Sequence, residues 1–213
     1  NRIYGLTKGQ YSPTSLQGHR TKSSPMGSID YPLNPVSVAL SAEATFVART
    51  QDTNTKHLSK ILGRAAEHRG AAFVEIYQNC VVLNPMAWEH TTDTDVRDDN
   101  IAFLEEGQPL IFGKDLDRGI RMNGAEPEVV QLGNGIDESD LVVHREGLEN
   151  ASYAYMLSRM EYPAMPLPFG VLRAIDRPSY TEMLFDQIET AAEQKGPGDL
   201  SGLFNSGDTW RVE

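Results

Sequence analysis

The stretch from Thr45 to Tyr77 limits the folds open to this chain more than any other feature. Thr45-Phe46-Val47-Ala48-Arg49 is β-branched and aromatic, the composition of a strand. After it, Leu58, Ile61, Leu62, Ala65 and Ala66 fall at i, i+3, i+4, i+7 and i+8, which is one face of a helix. His68 and Arg69 lie in its expected last turn, and Gly70 follows as the expected C′ residue. His57 and His68 lie off the apolar face, so exposure is expected for both. Ala72-Phe73-Val74-Glu75-Ile76-Tyr77 then reads as a second strand. Strand, helix and strand with short connections imply a parallel pair crossed by a helix, and hence an α/β fold. The loop after the second strand carries Cys80. In open parallel sheets ligands gather at the carboxyl ends of strands, so that position is informative.

The rest of the chain is less regular. Residues 1–35 are rich in Gly, Ser, Thr and Pro, which no long helix or strand accommodates. A structureless loop of that length is usually functional or disordered. A short helix is expected over 35–43, a helix over 95–106, a hairpin over 110–120, a helix over 151–160 ended by Pro163, and a strand over 170–175. Ser179 with Glu182 three residues on forms a capping box, and opens a helix whose apolar face is Tyr180, Met183, Leu184, Ile188, Ala191 and Ala192, with Gln187 as a polar exception. Gly196-Pro197 stops it, and the polar tail to Glu213 offers Trp210 to a partner. The composition turns acidic beyond residue 84. The expected division is therefore 1–84, which carries the motifs, and 85–213, an extension.

Charge excludes some functions. The net charge is −11, and residues 1–70 contribute nine Lys+Arg against four Asp+Glu, leaving the remainder strongly acidic. An acidic chain argues against general nucleic-acid binding, while the basic first third suits an anionic ligand. No apolar run approaches the roughly 20 residues that span a bilayer, so no membrane is expected. There is no basic-then-apolar secretory start, and the opening Asn1-Arg2-Ile3-Tyr4 without Met reads as a trimmed chain. A lone cysteine allows no intrachain disulfide and fits a reducing cytoplasm. His90 and His144 have no metal-ligand spacing with any cysteine, and no Ser-His-Asp or zinc pattern occurs; His19, in the long loop, is the histidine expected near substrate.

The loop Asn1 to Gln10 presents an amide side chain, backbone carbonyls, a Thr hydroxyl and a Lys, groups that suit an anion or a hydrated cation. Alone it reads as an ordinary surface turn. Its context is more specific. Tyr4-Gly5-Leu6-Thr7-Lys8-Gly9-Gln10, Ser12-Pro13-Thr14-Ser15, Thr21-Lys22-Ser23-Ser24-Pro25, Ala44-Thr45-Phe46-Val47-Ala48-Arg49 and Gly70-Ala71-Ala72-Phe73-Val74-Glu75-Ile76-Tyr77-Gln78-Asn79-Cys80 follow one another in order. Together they resemble the β subunits of 2-oxoacid:ferredoxin oxidoreductases. The resemblance runs from residue 1 to about 85; the acidic remainder matches loosely, as the family's C-terminal extension.

The resemblance implies an α/β chain that is the C-terminal half of a thiamine-diphosphate-binding parallel-sheet domain, with an irregular C-terminal extension. It implies thiamine diphosphate bound through Mg²⁺, with the Asn1 side chain and the Ile3 carbonyl as ion ligands and Tyr4 and Gly5 beside the cofactor. It implies Cys80 as the fourth ligand of a [4Fe–4S] cluster, a suitably soft donor for iron. The family's Gly-Asp-Gly, with its metal-binding Asp, and its three other cysteines are not in this chain, so the chain alone lacks full ligand sets. The implied reaction is CoA-dependent oxidative decarboxylation of a 2-oxoacid, with electrons passed to ferredoxin. The implied partner is an α subunit, in an α₂β₂ assembly, which supplies the glutamate that activates the thiamine ring. Lys8 is the candidate for pairing with the distal carboxylate of 2-oxoglutarate, against the plainer reading of a solvated lysine; Leu6 is the candidate for shaping the same pocket. Pyruvate or a branched-chain 2-oxoacid, a cluster-free thiamine decarboxylase or synthase, and a non-catalytic docking module are the competing readings.

Overall fold

The computed structural model describes residues 1–208 and 210. It divides the chain into two compact units, Asn1–Asp176 and Arg177–Glu213. The first unit begins with a two-residue antiparallel pair, β1 (Ile3–Tyr4) and β2 (Gln10–Tyr11), and continues through turns to α1 (Pro35–Ser41). There follow β3 (Phe46–Gln51), α2 (Thr55–Glu67) and β4 (Ala72–Tyr77). Two single-turn helices, α3 (Glu89–Thr92) and α4 (Arg97–Asn100), lead into β5 (Ile101–Phe103). Next come β6 (Ile111–Phe112), β7 (Arg118–Asn123), β8 (Glu126–Gln131), a 3₁₀ turn at Glu138–Asp140, α5 (Ser152–Ser158) and β9 (Leu167–Ala174).

The main sheet has the order β4-β3-β9-β5. β3 and β4 pair in parallel over their full length, Phe46 opposite Ala72 through Gln51 opposite Tyr77, as strand–helix–strand requires. β9 enters antiparallel to β3 with a bulge between Val47 and Ala48, and β5 runs parallel to β9. The fold is therefore α/β with a mixed sheet. Gly170 of β9 has φ +141°, and a Cβ there would lie 2.7 Å from Leu104 Cβ and 2.9 Å from the Leu104 carbonyl oxygen, so the close approach of the two segments admits only glycine.

Every residue of β3 is buried, which makes it the central strand. Its alternation assigns two cores. Val47 joins Val36, Leu40, Leu157, Met160 and Leu172 on the face covered by α1 and α5; Phe46 and Ala48 join Ile61 and Val171 on the face covered by α2. α1 starts where Pro35 fixes the first helical turn and the Asn34 side chain accepts from the Ser37 amide. α2 is capped in the same way by Asn54, which accepts from the His57 amide.

Several expectations are corrected. The 95–106 segment is not a helix: α4 is one turn and β5 follows, because Ile101 and Ala102 bury against β9 and the Leu104 amide donates to Phe169 O at 2.8 Å. The expected hairpin forms between β6 and β7 but extends to a three-stranded sheet with β8 through a turn containing Gly124 at φ +63°. Gly70 is not the C′ residue, since α2 ends at Glu67 and His68 is already extended. His57 and His68 are half-buried rather than exposed. His57 Nδ1 lies 2.8 Å from Thr50 Oγ1, which pins α2 to β3, and His68 Nε2 lies 2.8 Å from Thr45 Oγ1, which ties the residue after α2 to the residue before β3. β5 and β9, from beyond residue 84, complete the sheet that β3 and β4 begin.

The second unit holds α6 (Tyr180–Lys195) and α7 (Leu200–Phe204). The capping box forms as expected: Ser179 Oγ accepts from the Glu182 amide, and the Glu182 carboxylate accepts from the Ser179 amide. Tyr180, Met183, Leu184, Phe185 and Ile188 are all exposed. Trp210 is exposed; the rest of the tail from 209 onward lies outside the described residues. No helix of the described residues is long and apolar enough to cross a membrane.

Candidate cofactor site

The carboxyl ends of β3 and β4 form one rim, because the strands are parallel and in register. Beyond β4 the chain turns through Gln78 and Asn79 to Cys80, and a tight turn brings the Asn84 amide to Cys80 O at 2.9 Å. Cys80 is half-buried. Its thiol lies below the ordinary thiol value, chiefly because the Leu83 and Val82 backbone N–H groups donate to the sulfur; burial opposes them and the Asn84 N–H adds to them. The turn thus favours the thiolate, the form that ligates a metal.

The chain's first residues are drawn to the same rim. Asn84 Nδ2 donates to Asn1 O at 3.1 Å, and Asn1 Oδ1 accepts from the Ile3 amide at 3.3 Å. β1 and β2 close the Gly5–Gly9 loop, tightened by Lys8 N to Gly5 O at 2.9 Å and Gly9 N to Tyr4 O at 3.0 Å. A Cβ on Gly9 would sit 3.6 Å from Leu83 Cδ2, so this loop lies against the Cys80 turn. Asn1 and Cys80, the two residues singled out in the sequence as metal ligands, are therefore brought together at one end of the sheet.

The residue between the expected ion ligands is unusual. Arg2 has φ +56°, the left-handed region, and is not glycine. Its carbonyl accepts from Ser15 Oγ at 2.5 Å, and its guanidinium carbon lies 3.9 Å from the Trp88 ring centroid. Burial, above all, lowers the Arg2 pKa, and the neighbouring Arg49 works in the same direction. Trp88 stacks on Tyr77, the last residue of β4, with centroids 3.4 Å apart, and its backbone N–H donates to Asn79 Oδ1 at 2.8 Å. Sequence reading missed Arg2, Asn84 and Trp88. Their roles come from contacts across more than 80 residues, which no local pattern carries.

The oxygen donors suit a hard divalent cation: the Asn1 amide oxygen and the Ile3 carbonyl lie within one short turn. At the end of β3, Gln51 Oε1 and Asp52 Oδ1 are buried and have no hydrogen-bond partner among the described residues. Uncommitted oxygens at a ligand rim fit a site that receives a donor or a cation. Lys8 is exposed at φ +58°, and Leu6 is 99% exposed, so neither side chain is engaged in the packing of this chain. Tyr4 is 47% exposed, and Val81 and Val82 are about as bare as Leu6 is, at 83% and 80%. The apolar surface of both loops is left open.

The other histidines do not join this rim through any described bond. His90 stacks on Tyr162 with centroids 4.3 Å apart, and burial followed by Arg2 lowers its pKa to about 4. The His19 backbone amide is bonded to Ser28. Glu106, His144 and Glu146 cluster within 4.8 Å, but His144 Nε2 lies 2.9 Å from Val171 O and Nδ1 lies 3.2 Å from Tyr153 Oη, while Glu146 holds Arg64 by two bonds. That cluster is a structural knot with its ring nitrogens already used.

Residues 1–76 match the family described as thiamine pyrophosphate enzyme, C-terminal TPP binding domain. The 2-oxoglutarate oxidoreductase subunit KorB of Mycobacterium tuberculosis is 40% identical over 217 residues, spanning 100% of this chain and 57% of that protein. The chain is a homologue of the β subunits of 2-oxoacid:ferredoxin oxidoreductases. The 2-oxoacid:ferredoxin oxidoreductase subunit beta of Saccharolobus solfataricus is 44% identical over 84 residues, 39% of this chain and 28% of that one. A solved 2-oxoglutarate:ferredoxin oxidoreductase from Magnetococcus marinus, with 2-oxoglutarate, coenzyme A and succinyl-CoA bound, superposes with TM-score 0.63 at 23% identity over 98% of this chain and 56% of that chain, and so shares the fold. The homologue spans about half the length of its full-length relatives: 57% of the mycobacterial protein.

Proposed function

We propose that this chain forms part of the β subunit of a 2-oxoglutarate:ferredoxin oxidoreductase, which converts a 2-oxoacid and coenzyme A to acyl-CoA and CO₂ and passes two electrons through a [4Fe–4S] cluster to ferredoxin. One observation carries the reading: Asn1 and Cys80, a hard oxygen donor and a sulfur donor, sit at one rim of the parallel β3–β4 pair, joined by Asn84. When bound, thiamine diphosphate supplies the nucleophilic carbon and the electron sink that decarboxylation needs. Asn1 and the Ile3 carbonyl would hold Mg²⁺, with Tyr4 and Gly5 beside the cofactor and Cys80 as the cluster ligand. Lys8, a free cation on the loop beside that rim, attracts the distal carboxylate of 2-oxoglutarate, and Leu6 packs against its methylene carbons. The mycobacterial relative's name supports this choice over pyruvate.

The exposed Leu6, Val81 and Val82 require cover, and an α subunit docked on these loops supplies it while closing the site to water. The lone cysteine and the oxygen-sensitive chemistry suit a reducing cytoplasm. The test uses the full enzyme with its α subunit, purified without oxygen. Cys80→Ala should abolish the cluster's visible absorbance and ferredoxin reduction while Mg²⁺-dependent thiamine diphosphate binding persists. An intact cluster in that variant would take Cys80 out of the ligand set and sink the reading, and a parent enzyme with no cluster absorbance would favour a cluster-free thiamine enzyme. Loss of neither cluster nor cofactor binding on replacing both Asn1 and Cys80 would leave only a docking module.

A further inference from the structure

We propose that Trp88 is a positioning residue for the divalent-cation loop: by stacking on Arg2 it holds that residue in the left-handed conformation that sets Asn1 relative to Ile3. The inference rests on the function proposed above and adds residues that function does not name. Arg2 stands between the two ligand residues at φ +56°, a conformation that costs any residue with a Cβ and that persists only where the surroundings hold it. The surroundings here are specific. The Arg2 carbonyl is held by Ser15 Oγ, the Asn1 carbonyl by Asn84 Nδ2, and the guanidinium by the face of Trp88 at 3.9 Å. A guanidinium so buried is partly stripped of water, which strengthens its attraction to an aromatic face.

Trp88 is suited to act as a fixed platform. It is 4% exposed, its ring is stacked on Tyr77 at 3.4 Å, and its backbone is tied to Asn79 Oδ1 at 2.8 Å. Asn79 precedes Cys80, and Asn84 closes the Cys80 turn. The stack and the Asn84 bond therefore connect the ion-binding loop to the cluster-binding turn, and a shift in one is transmitted to the other. Sequence alone gives no reason for a Trp at this position, since it lies outside the strand and helix patterns.

The test is Mg²⁺-dependent binding of thiamine diphosphate to the full enzyme, followed by calorimetry, with cluster content read independently by electron paramagnetic resonance. Trp88→Leu should raise the Mg²⁺ needed for half-saturation about 10-fold, the size of a left-handed backbone preference. Trp88→Phe, which keeps an aromatic face, should stay within about 3-fold. Arg2→Ala and Arg2→Gly separate positioning from packing. Both lose the stack, but glycine adopts positive φ freely, so Arg2→Ala should weaken binding about 10-fold and Arg2→Gly only about 2-fold. Trp88→Leu introduced into Arg2→Gly should then add little, a non-additivity that a purely structural tryptophan would not produce. Should Trp88→Leu fail to assemble, the Arg2 pair decides, because Trp88 remains in place. Equal losses in Arg2→Ala and Arg2→Gly overturn the proposal. A wild-type enzyme that binds thiamine diphosphate without regard to Mg²⁺ counts against the proposed function instead.

Discussion

Removing Glu75 should destabilise the strands that carry the site, by an amount the structure allows to be worked out. Arg49 lies in the centre of β3 with its side chain 2% exposed, and its Nε donates to Glu75 Oε2 at 2.8 Å; the Glu75 side chain is 17% exposed. Arg49 Nη1 is buried with no hydrogen-bond partner among the described residues, so the carboxylate is the main compensation for this charge. Further support comes from the Tyr77 ring, 5.4 Å from the guanidinium carbon, and from the Glu161 carboxylate, which acts on the same charge. Breaking a buried pair by deleting one partner costs about 3–5 kcal/mol, and the residual cation–π contact offsets about 1 kcal/mol of that. Glu75→Leu should therefore lose about 3 kcal/mol, which for a domain of this size lowers Tm by about 6–12 °C. Glu75→Gln keeps an acceptor for Nε and should lose less. The double variant Arg49→Met with Glu75→Leu removes both charges and should recover to within about 1 kcal/mol of the parent. Urea unfolding followed by tryptophan fluorescence is the assay, since Trp88 stacks on Tyr77, two residues from Glu75. A double variant as unstable as Glu75→Leu alone would refute the reasoning, because the loss would then come from volume and not from a stranded charge.

Lys8→Gly should cut kcat/KM for 2-oxoglutarate at least about 10-fold more than for pyruvate, since only the former has a distal carboxylate to lose a cation; steady-state kinetics with both substrates checks this, and equal losses reject it. His90 provides a pH dependence. Its folded pKa is about 4, below the unfolded value near 6.5, so the unfolded state binds the extra proton first and stability falls as pH drops from about 6.5 towards 4. His90→Phe keeps a ring against Tyr162 and should flatten the stability–pH curve in that window, leaving the slope due to His57 and His144, whose pKa values burial also lowers. Superimposable curves for the two proteins would contradict it.

Much of the fold was legible because it rests on local periodicity. The two parallel strands, the intervening helix, α1 and the capped α6 all announce themselves through patterns of two or 3.6 residues and through capping side chains. The failures share one cause. A helix was expected over 95–106, yet Ile101 and Ala102 found partners in Leu167 and Pro168, far along the chain. His57 and His68 looked solvent-facing from the helix wheel, yet each meets a threonine of the 45–51 segment. In each case a contact between packed elements overrode the local preference.

The candidate site divides along the same line. The amino-acid sequence by itself determined which chemical groups are present and in what order: an amide and carbonyls at the start, a cation at Lys8, a thiol after Tyr77-Gln78-Asn79, and the parallel strand pair that aims both loops at one rim. Only the tertiary structure decided how those groups are held. The stack of Arg2 on Trp88 and the Asn84 bond to Asn1 are contacts between residues more than 80 apart, and with the left-handed turn at Arg2 they exist only once the sheet has brought its carboxyl ends together. A backbone conformation that costs free energy locally can be supplied only by packing that is not local, which is why no stretch of sequence discloses it.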